Sequence, residues 1–195
     1  MCRSGLRGAY NRLRYGPLSP RPNQQLRVSP GALVDRYSPK SNGGQVIGSR
    51  RTGQVLDGDQ HRTAFKGTPK YKACAARFRD GLSWDESGVI TYSLNRIAKT
   101  GPFDGCATRN DILARYAALD RLWESVQDTG QMPPAPTHAK DSILVHIDQD
   151  GELLFGNQGF HRLAIAQIAG LETITVSLGV VHTDALRKGP VAYLK

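Results

Sequence analysis

A glycine-rich turn with a His-Arg pair is the part of this sequence whose residue types most suggest chemistry. Residues 155–162 read Phe-Gly-Asn-Gln-Gly-Phe-His-Arg, after a strand-like run and before a helical pattern. The first turn of a helix exposes backbone N–H groups at the positive end of the helix dipole, which suits an anion such as a phosphate. We therefore predict a phosphate site made of Gly156, Asn157, Gly159, His161 and Arg162.

Each of these residues also has a structural interpretation. The two glycines either let the backbone approach a phosphate or form a plain turn between strand and helix. Arg162 either holds a phosphate with its fork of donors or makes a salt bridge at the helix start. His161 donates to a phosphate, transfers a proton near neutral pH, or caps and packs the helix.

Other histidines and acidic residues give weaker indications of a metal-binding site. His146 and His182 would have to meet in space to form a two-histidine site, and their spacing favours ordinary core or surface positions. The segment from Asp148 to Gly151 lacks the remaining ligands of a calcium loop and indicates a hairpin turn.

The elements that must position the turn are predicted best in the C-terminal half. Apolar residues at helical spacing between the cap-like Thr108 and the terminating Gly130 predict a long helix, and Ser83 to Glu86 has the spacing of a capping box. The other predicted elements are a helix from about Trp84 to Lys99, strands at 26–28, 143–147, 152–155 and 174–180, a helix over 161–169, a long loop or insertion over 37–70, and a rigid linker over 132–136.

The basic character of the chain belongs to its N-terminal third. Residues 1–73 hold 14 Lys and Arg against three Asp, a net charge of +11, whereas residues 74–195 hold 12 against 14 acids, a net charge of −2. Gly and Pro predict that residues 1–24 form a disordered basic arm. Such an arm is a solvated tail, a contact to nucleic acid or an anionic surface, or a transit-like segment.

Length and composition predict one globular domain. The chain has 195 residues, 39% hydrophobic residues and a mean hydropathy of −0.42, and no apolar run reaches the roughly 18 residues of a membrane span. Cys2, Cys74 and Cys106 form no metal-type cluster, so we expect a reducing compartment such as the cytoplasm.

The stretch from Leu122 to His182 resembles the ParB/sulfiredoxin superfamily. The matching features are Leu122 to Val126 followed by Gly130, the run from Gly159 to Ala166, and the strand phrase from Leu171 to Val176. The resemblance implies an α+β fold, with a small mixed β-sheet packed with helices. The domain would span residues 25–190 and carry an insertion at about 37–105.

The resemblance also implies that the turn holds the phosphates of a nucleoside triphosphate, such as CTP or ATP with Mg²⁺, in a nucleotide switch or a phosphotransfer enzyme. Candidates for a base or metal ligand are Asp35, Asp57, Asp59 and His161, although Asp57 to Asp59 is also typical of a turn. Sulfiredoxins have a cysteine where this chain has Phe160, and many relatives have an acid where it has Gln158.

Two alternatives remain open from the sequence. The chain is a nucleic-acid-binding protein or nuclease that uses residues 1–73, or it is an interaction module that keeps the fold without a ligand.

Overall fold

The computed structural model describes residues 3–38, 52–57, 61–135, 142–188 and 191–194. The described helices are α1 (Arg3–Tyr15), α2 (Pro69–Phe78), α3 (Val89–Thr100), α4 (Arg109–Thr129), α5 (Phe160–Ile168) and α6 (Thr183–Arg187). The described strands are β1 (Gln25–Val28), β2 (Asp35–Tyr37), β3 (Gln54–Leu56), β4 (Arg62–Ala64), β5 (Leu144–Ile147), β6 (Leu153–Phe155) and β7 (Ile174–His182). No helix of the described residues is long and apolar enough to cross a membrane.

The strands form one mixed sheet in the order β1-β7-β5-β6-β2-β4, and β3 pairs with the second half of β7. β5 and β6 form an antiparallel hairpin, while β7 runs parallel to β5 after the crossover through α5. This confirms the predicted mixed sheet packed with helices. It also places the turn before α5 at the end of β6, in the middle of the sheet.

The main core lies between the sheet and the helices, and α5 packs with its middle residues wholly buried. Leu163, Ala164, Ile165 and Ala166 each have no exposed surface. A small second cluster of Tyr37, Leu154 and Val180 forms separately. Because successive strand residues point to opposite faces, Leu154 lies on the face opposite its neighbours in the main core.

The predicted boundaries of α4 are confirmed. The Thr108 side chain accepts from the Asp111 N–H at 3.2 Å, and the Asp111 carboxylate accepts from the Thr108 N–H at 2.9 Å. Gly130 ends the helix at a φ of 64°, in the left-handed region that favours glycine.

The predicted helix from Trp84 starts later than the sequence indicates. Ser83 and Glu86 do exchange the hydrogen bonds of a capping box, but the segment they cap is only a turn. Gly88 then adopts a φ of 75°, and α3 begins at Val89. A glycine in this conformation interrupts the helical backbone, which is why the predicted boundary is wrong.

The prediction that residues 1–24 are disordered is wrong for the described part of that segment. Residues 3–15 form α1, which is attached to the rest of the protein by the buried Asn11. Asn11 Nδ2 donates to the carbonyls of Pro20 at 2.7 Å and Gly53 at 2.8 Å. These tertiary hydrogen bonds hold a helix that its Gly and Arg content does not predict.

The prediction of a long loop over 37–70 is also wrong where the structure describes the segment, whereas its alternative, an insertion, stays a prediction. The segment contains β3, β4 and the start of α2, and β4 extends the sheet by pairing with β2. Residues 39–51 and 58–60 of that prediction lie outside the described residues.

A β-bulge in β7 explains the position of His146. Val145 pairs with Leu178 but Ile147 pairs with Val181, so β7 has one extra residue. His146 Nδ1 accepts from the N–H of Val180 at 3.0 Å. The alternation of faces along β7 is therefore shifted after Leu178, and Val180 lies in the second cluster.

Candidate functional site

A cavity of about 540 Å³ lies beside the predicted turn, at the N-terminus of α5. The cavity is bounded by the turn, by the start of α2, by one face of α4 and by the turn between α3 and α4. Its lining residues are Lys70, Asp104, Arg115, Ala118, Leu119, Leu122 and residues 157–162.

Three charged side chains meet in this cavity. Asp104 Oδ2 forms ion pairs with Lys70 Nζ at 2.9 Å and with Arg115 Nε at 3.1 Å. Lys70 Nζ also lies over the ring of Phe103, 5.1 Å from its centroid, and 5.7 Å from that of Phe160. Burial lowers the pKa of Lys70, and the ion pair with Asp104 opposes that shift.

Asp104 reaches the cavity because it lies in a two-residue turn. Phe103 and Cys106 exchange backbone hydrogen bonds of 2.9 and 3.0 Å around Asp104 and Gly105. The φ angles of Asp104 and Gly105 are 56° and 81°, both in the left-handed region. An Asp-Gly pair is typical of such a turn, so the sequence itself favours this conformation.

His161 is buried beside these charges. Its side chain is 5% exposed, and its Nδ1 lies 4.0 Å from Asp104 Oδ2. Burial, with a smaller effect from Lys70, lowers the pKa of His161 to about 3, so the imidazole is neutral at neutral pH. Its buried Nε2 has no hydrogen-bond partner among the described residues. His161 is thus placed to act as a neutral hydrogen-bonding group.

Arg162 is held by the proline-rich linker. Its Nη2 donates to the carbonyl oxygen of Pro133. Arg162 lines the main cavity and also a smaller one of about 200 Å³ that residues 132–135 border. The linker therefore fixes the position of this guanidinium beside the helix start.

The two glycines of the predicted site have different roles. Gly159 lines the cavity with a φ of 75°, and a Cβ there would lie 2.6 Å from the carbonyl oxygen of Ser142. Gly156 does not line the cavity; it is buried, and a Cβ there would lie 2.8 Å from His146 Nε2. Close packing therefore accounts for a glycine at position 156.

Asn157 and Gln158 brace the turn. Asn157 has a φ of 63°, and its Nδ2 donates to the Tyr37 carbonyl at 2.6 Å. Its Oδ1 accepts from Arg36 Nη1 at 3.1 Å. Gln158 Nε2 donates to Ser142 Oγ at 2.9 Å. These contacts tie the turn to β2 and to the residues before β5.

The carboxylates that the sequence offered as a base or metal ligand are not brought to the cavity by the described structure. Asp35 pairs with Ala64 inside the sheet and does not line the cavity. Asp57 is exposed after β3, which pairs with β7. Asp59 lies outside the described residues. Among the described residues that line the cavity, the carboxylate is Asp104.

Sequence reasoning missed Lys70, Asp104 and Arg115. Two local signals point to the first two: Thr68 caps α2 with a proline next to it, and Asp104-Gly105 is a turn dipeptide. Arg115 follows from neither signal, because a charged residue on a helix can face either water or a cavity.

The remaining histidine candidates have structural roles. His146 is wholly buried, and burial lowers its pKa to about 4. His182 Nδ1 accepts from the Asp184 N–H at 3.1 Å and so caps α6. The described residues contain no group of three or more His, Cys, Asp or Glu that could hold a metal ion.

The structure gives the cysteines and the segment from Asp148 to Gly151 structural roles, as buried core residues and as a hairpin turn. Cys74 is fully buried, and burial raises its pKa to about 12. Cys106 is also buried and has a raised pKa for the same reason. Asp148 Oδ1 accepts from the N–H groups of Asp150 and Glu152, which makes this segment the turn of the β5–β6 hairpin.

Comparisons of the chain with protein-family models, with curated proteins and with solved structures found no match, so the site is characterised by the chemistry of its own residues.

Proposed function

We propose that this protein binds a nucleoside triphosphate, with the phosphates at the N-terminus of α5, as a ParB/sulfiredoxin-like fold implies. The charge of the cavity carries the proposal. Lys70 and Arg115 line it against one carboxylate, that of Asp104, among the described residues. A ligand with several negative charges would balance this excess and would meet the backbone N–H groups of a helix start.

Asp104 has a positioning role in this proposal. It holds Lys70 and Arg115 within 3.1 Å of one carboxylate oxygen and so keeps two flexible cations inside the cavity. A phosphate group that enters would compete with Asp104 for the same cations. Binding is therefore an exchange of one anion for another, and the multiple charges of a polyphosphate favour it over a singly charged anion.

The rest of the cavity fits the uncharged part of a nucleotide. Ala118, Leu119 and Leu122 form an apolar wall on α4 that lines the cavity together with the turn before α5. The volume of about 540 Å³ falls in the range of small-molecule sites. A base or sugar would lie against this wall while the phosphates lie at the helix start.

The described cavity does not fit a protein-held Mg²⁺ site. Mg²⁺ uses one or two open carboxylates together with substrate phosphates, and Asp104 already faces two cations. In the proposal, Mg²⁺ therefore enters on the phosphates of CTP or ATP. The proposal is one of binding, and the neutral His161 lines the site without adding charge.

The test is a titration of the full chain with CTP, ATP and GTP, each with and without Mg²⁺, by thermal shift and calorimetry. Arg115→Gln removes one cavity cation, and we expect it to weaken binding about tenfold or more because it removes a charge-assisted hydrogen bond. Arg109→Gln is the matched control, since Arg109 lies on the same helix in an exposed ion pair with Asp85.

We expect Arg109→Gln to bind as the unchanged protein does. The proposal is wrong if none of the three nucleotides shifts the melting temperature of the folded protein. Equal losses in Arg115→Gln and Arg109→Gln would place binding somewhere other than this cavity.

Nucleic-acid binding through residues 1–73 is the second candidate, and the four arginines of α1 support it. Contact would be mainly electrostatic, so affinity would fall steeply with salt. A double variant, Arg12→Gln with Arg14→Gln, should weaken DNA and RNA binding and reduce the salt dependence. Unchanged binding in that variant would remove the basis for this candidate.

A further inference from the structure

Helix α1 is attached to the protein by its polar side. The contacts come from Asn11, buried against the carbonyls of Pro20 and Gly53, and from Arg7, whose Nη1 donates to the Thr52 carbonyl at 2.8 Å. A surface helix of a globular protein normally turns its apolar side inward. α1 has the opposite orientation.

The apolar side of α1 is directed to solvent. Leu6 is 63% exposed, Tyr10 is 55% exposed and Leu13 is 89% exposed. At 100° per residue these three positions fall within a narrow sector of the helix, so they form one stripe. Leu18, just beyond the helix, is also exposed. We call Leu6, Tyr10 and Leu13 the outer stripe.

Basic residues border the outer stripe. α1 contains Arg3, Arg7, Arg12 and Arg14 and no acidic residue. Arg12 and Arg14 are exposed on opposite sides of the stripe, and Arg14 Nη1 donates to the Tyr10 hydroxyl at 3.3 Å. An apolar stripe with cations along its edges is the pattern of helices that lie in the interface of an anionic membrane.

We propose that α1 binds an anionic lipid surface, with the outer stripe in the acyl boundary and the exposed Arg12 and Arg14 at the headgroups. Two other occupants fit less well. A second copy of this chain would bring two acid-free arginine helices together, which their charges oppose. A nucleic acid would use the arginines but leave the exposed leucines without a role, because a leucine offers no contact to phosphate.

The test is flotation of the full-length protein with vesicles of phosphatidylcholine alone or with added phosphatidylglycerol. We expect binding to the anionic vesicles and much weaker binding to the neutral ones, with a fall at high salt. Leu13→Ser should lower the partition coefficient about tenfold, because it removes one inserted leucine and no charge. Since Leu13 is almost wholly exposed, this variant keeps the fold.

Leu113→Ser is the matched control, because Leu113 is a partly exposed leucine on α4. We expect it to bind vesicles as the unchanged protein does. Equal binding to neutral and anionic vesicles, no binding to either, or equal losses in the two serine variants would each overturn the proposal. The proposal would also be overturned if the protein were a dimer in solution that Leu13→Ser dissociates, or if it bound DNA in a way that depends on Leu13. Nucleotide titration of Leu13→Ser should be unchanged, which separates this proposal from the cavity.

Discussion

The buried His146 should make the protein sensitive to mild acid. Its pKa is about 4 in the folded protein, because burial opposes the charged form, and about 6.5 in an unfolded chain. Between these values the unfolded state binds a proton and the folded state does not. Stability from this residue is therefore complete above pH 6.5 and is lost as the pH falls toward 4.

The loss of stability at a given pH follows from how far that pH lies below 6.5. Each pH unit below 6.5 costs about 1.4 kcal/mol for one such group, so His146 accounts for about 2 kcal/mol at pH 5. His161, with a pKa of about 3, adds a similar loss over the same interval. The free energy of unfolding, measured by urea denaturation at pH 7 and pH 5, should show the sum of the two.

His146→Asn isolates the first contribution. The asparagine Oδ1 can accept the Val180 N–H as Nδ1 does, but it does not titrate. The variant will be less stable than the unchanged protein at pH 7. The quantity to compare is therefore the difference between its free energies of unfolding at pH 7 and at pH 5. We expect that difference to shrink by about 2 kcal/mol.

His61→Asn makes the same chemical change at an exposed position and serves as the control. An unchanged pH difference in His146→Asn, in a protein that still unfolds cooperatively, would refute the reasoning. It would mean that the imidazole is not kept neutral by its burial in the sheet.

Three further substitutions test the packing that positions the site. Gly179→Ala would place a Cβ 2.4 Å from His146 Nδ1. We expect this substitution to lower the free energy of unfolding, measured in urea, by about 2 kcal/mol. An unchanged free energy would contradict the tight packing at the bulge. Thr108→Ala should cost about 1 kcal/mol by removing the α4 cap, and Thr108→Ser should restore most of it. Asn11→Ala removes two buried hydrogen bonds, so trypsin should cleave within α1 faster while the global melting temperature changes little. A cleavage rate as slow as that of Asn110→Ala, an exposed control, would show that Asn11 does not hold the helix.

The C-terminal half could be predicted because its signals are local. The Thr108 cap, Gly130 and the Asp150-Gly151 turn each set a boundary through the conformation of a few neighbouring residues. The helix α5 followed from its apolar spacing in the same way. Hydrophobic periodicity and the glycines before the helix therefore predicted the turn at Gly159 without reference to the rest of the chain.

The cavity could not be predicted in the same way, because its charges come from distant segments. Lys70, Asp104 and Arg115 lie on α2, on a turn and on α4, and only tertiary packing brings them to His161. The order of α1 was missed for a related reason, since it depends on carbonyls near residues 20 and 53.

Because of its bulge, β7 contributes residues to the apolar clusters on both faces of the sheet. Leu178 belongs to the main core and Val180 to the cluster with Tyr37, so one strand supports both. β7 further pairs with β1 and β3 along one side and with β5 along the other. Opening of the whole of β7 would break all three pairings and expose both apolar clusters to water. Amide hydrogens in this strand should therefore exchange only when the whole domain unfolds, and the two faces of the sheet should unfold as one cooperative unit.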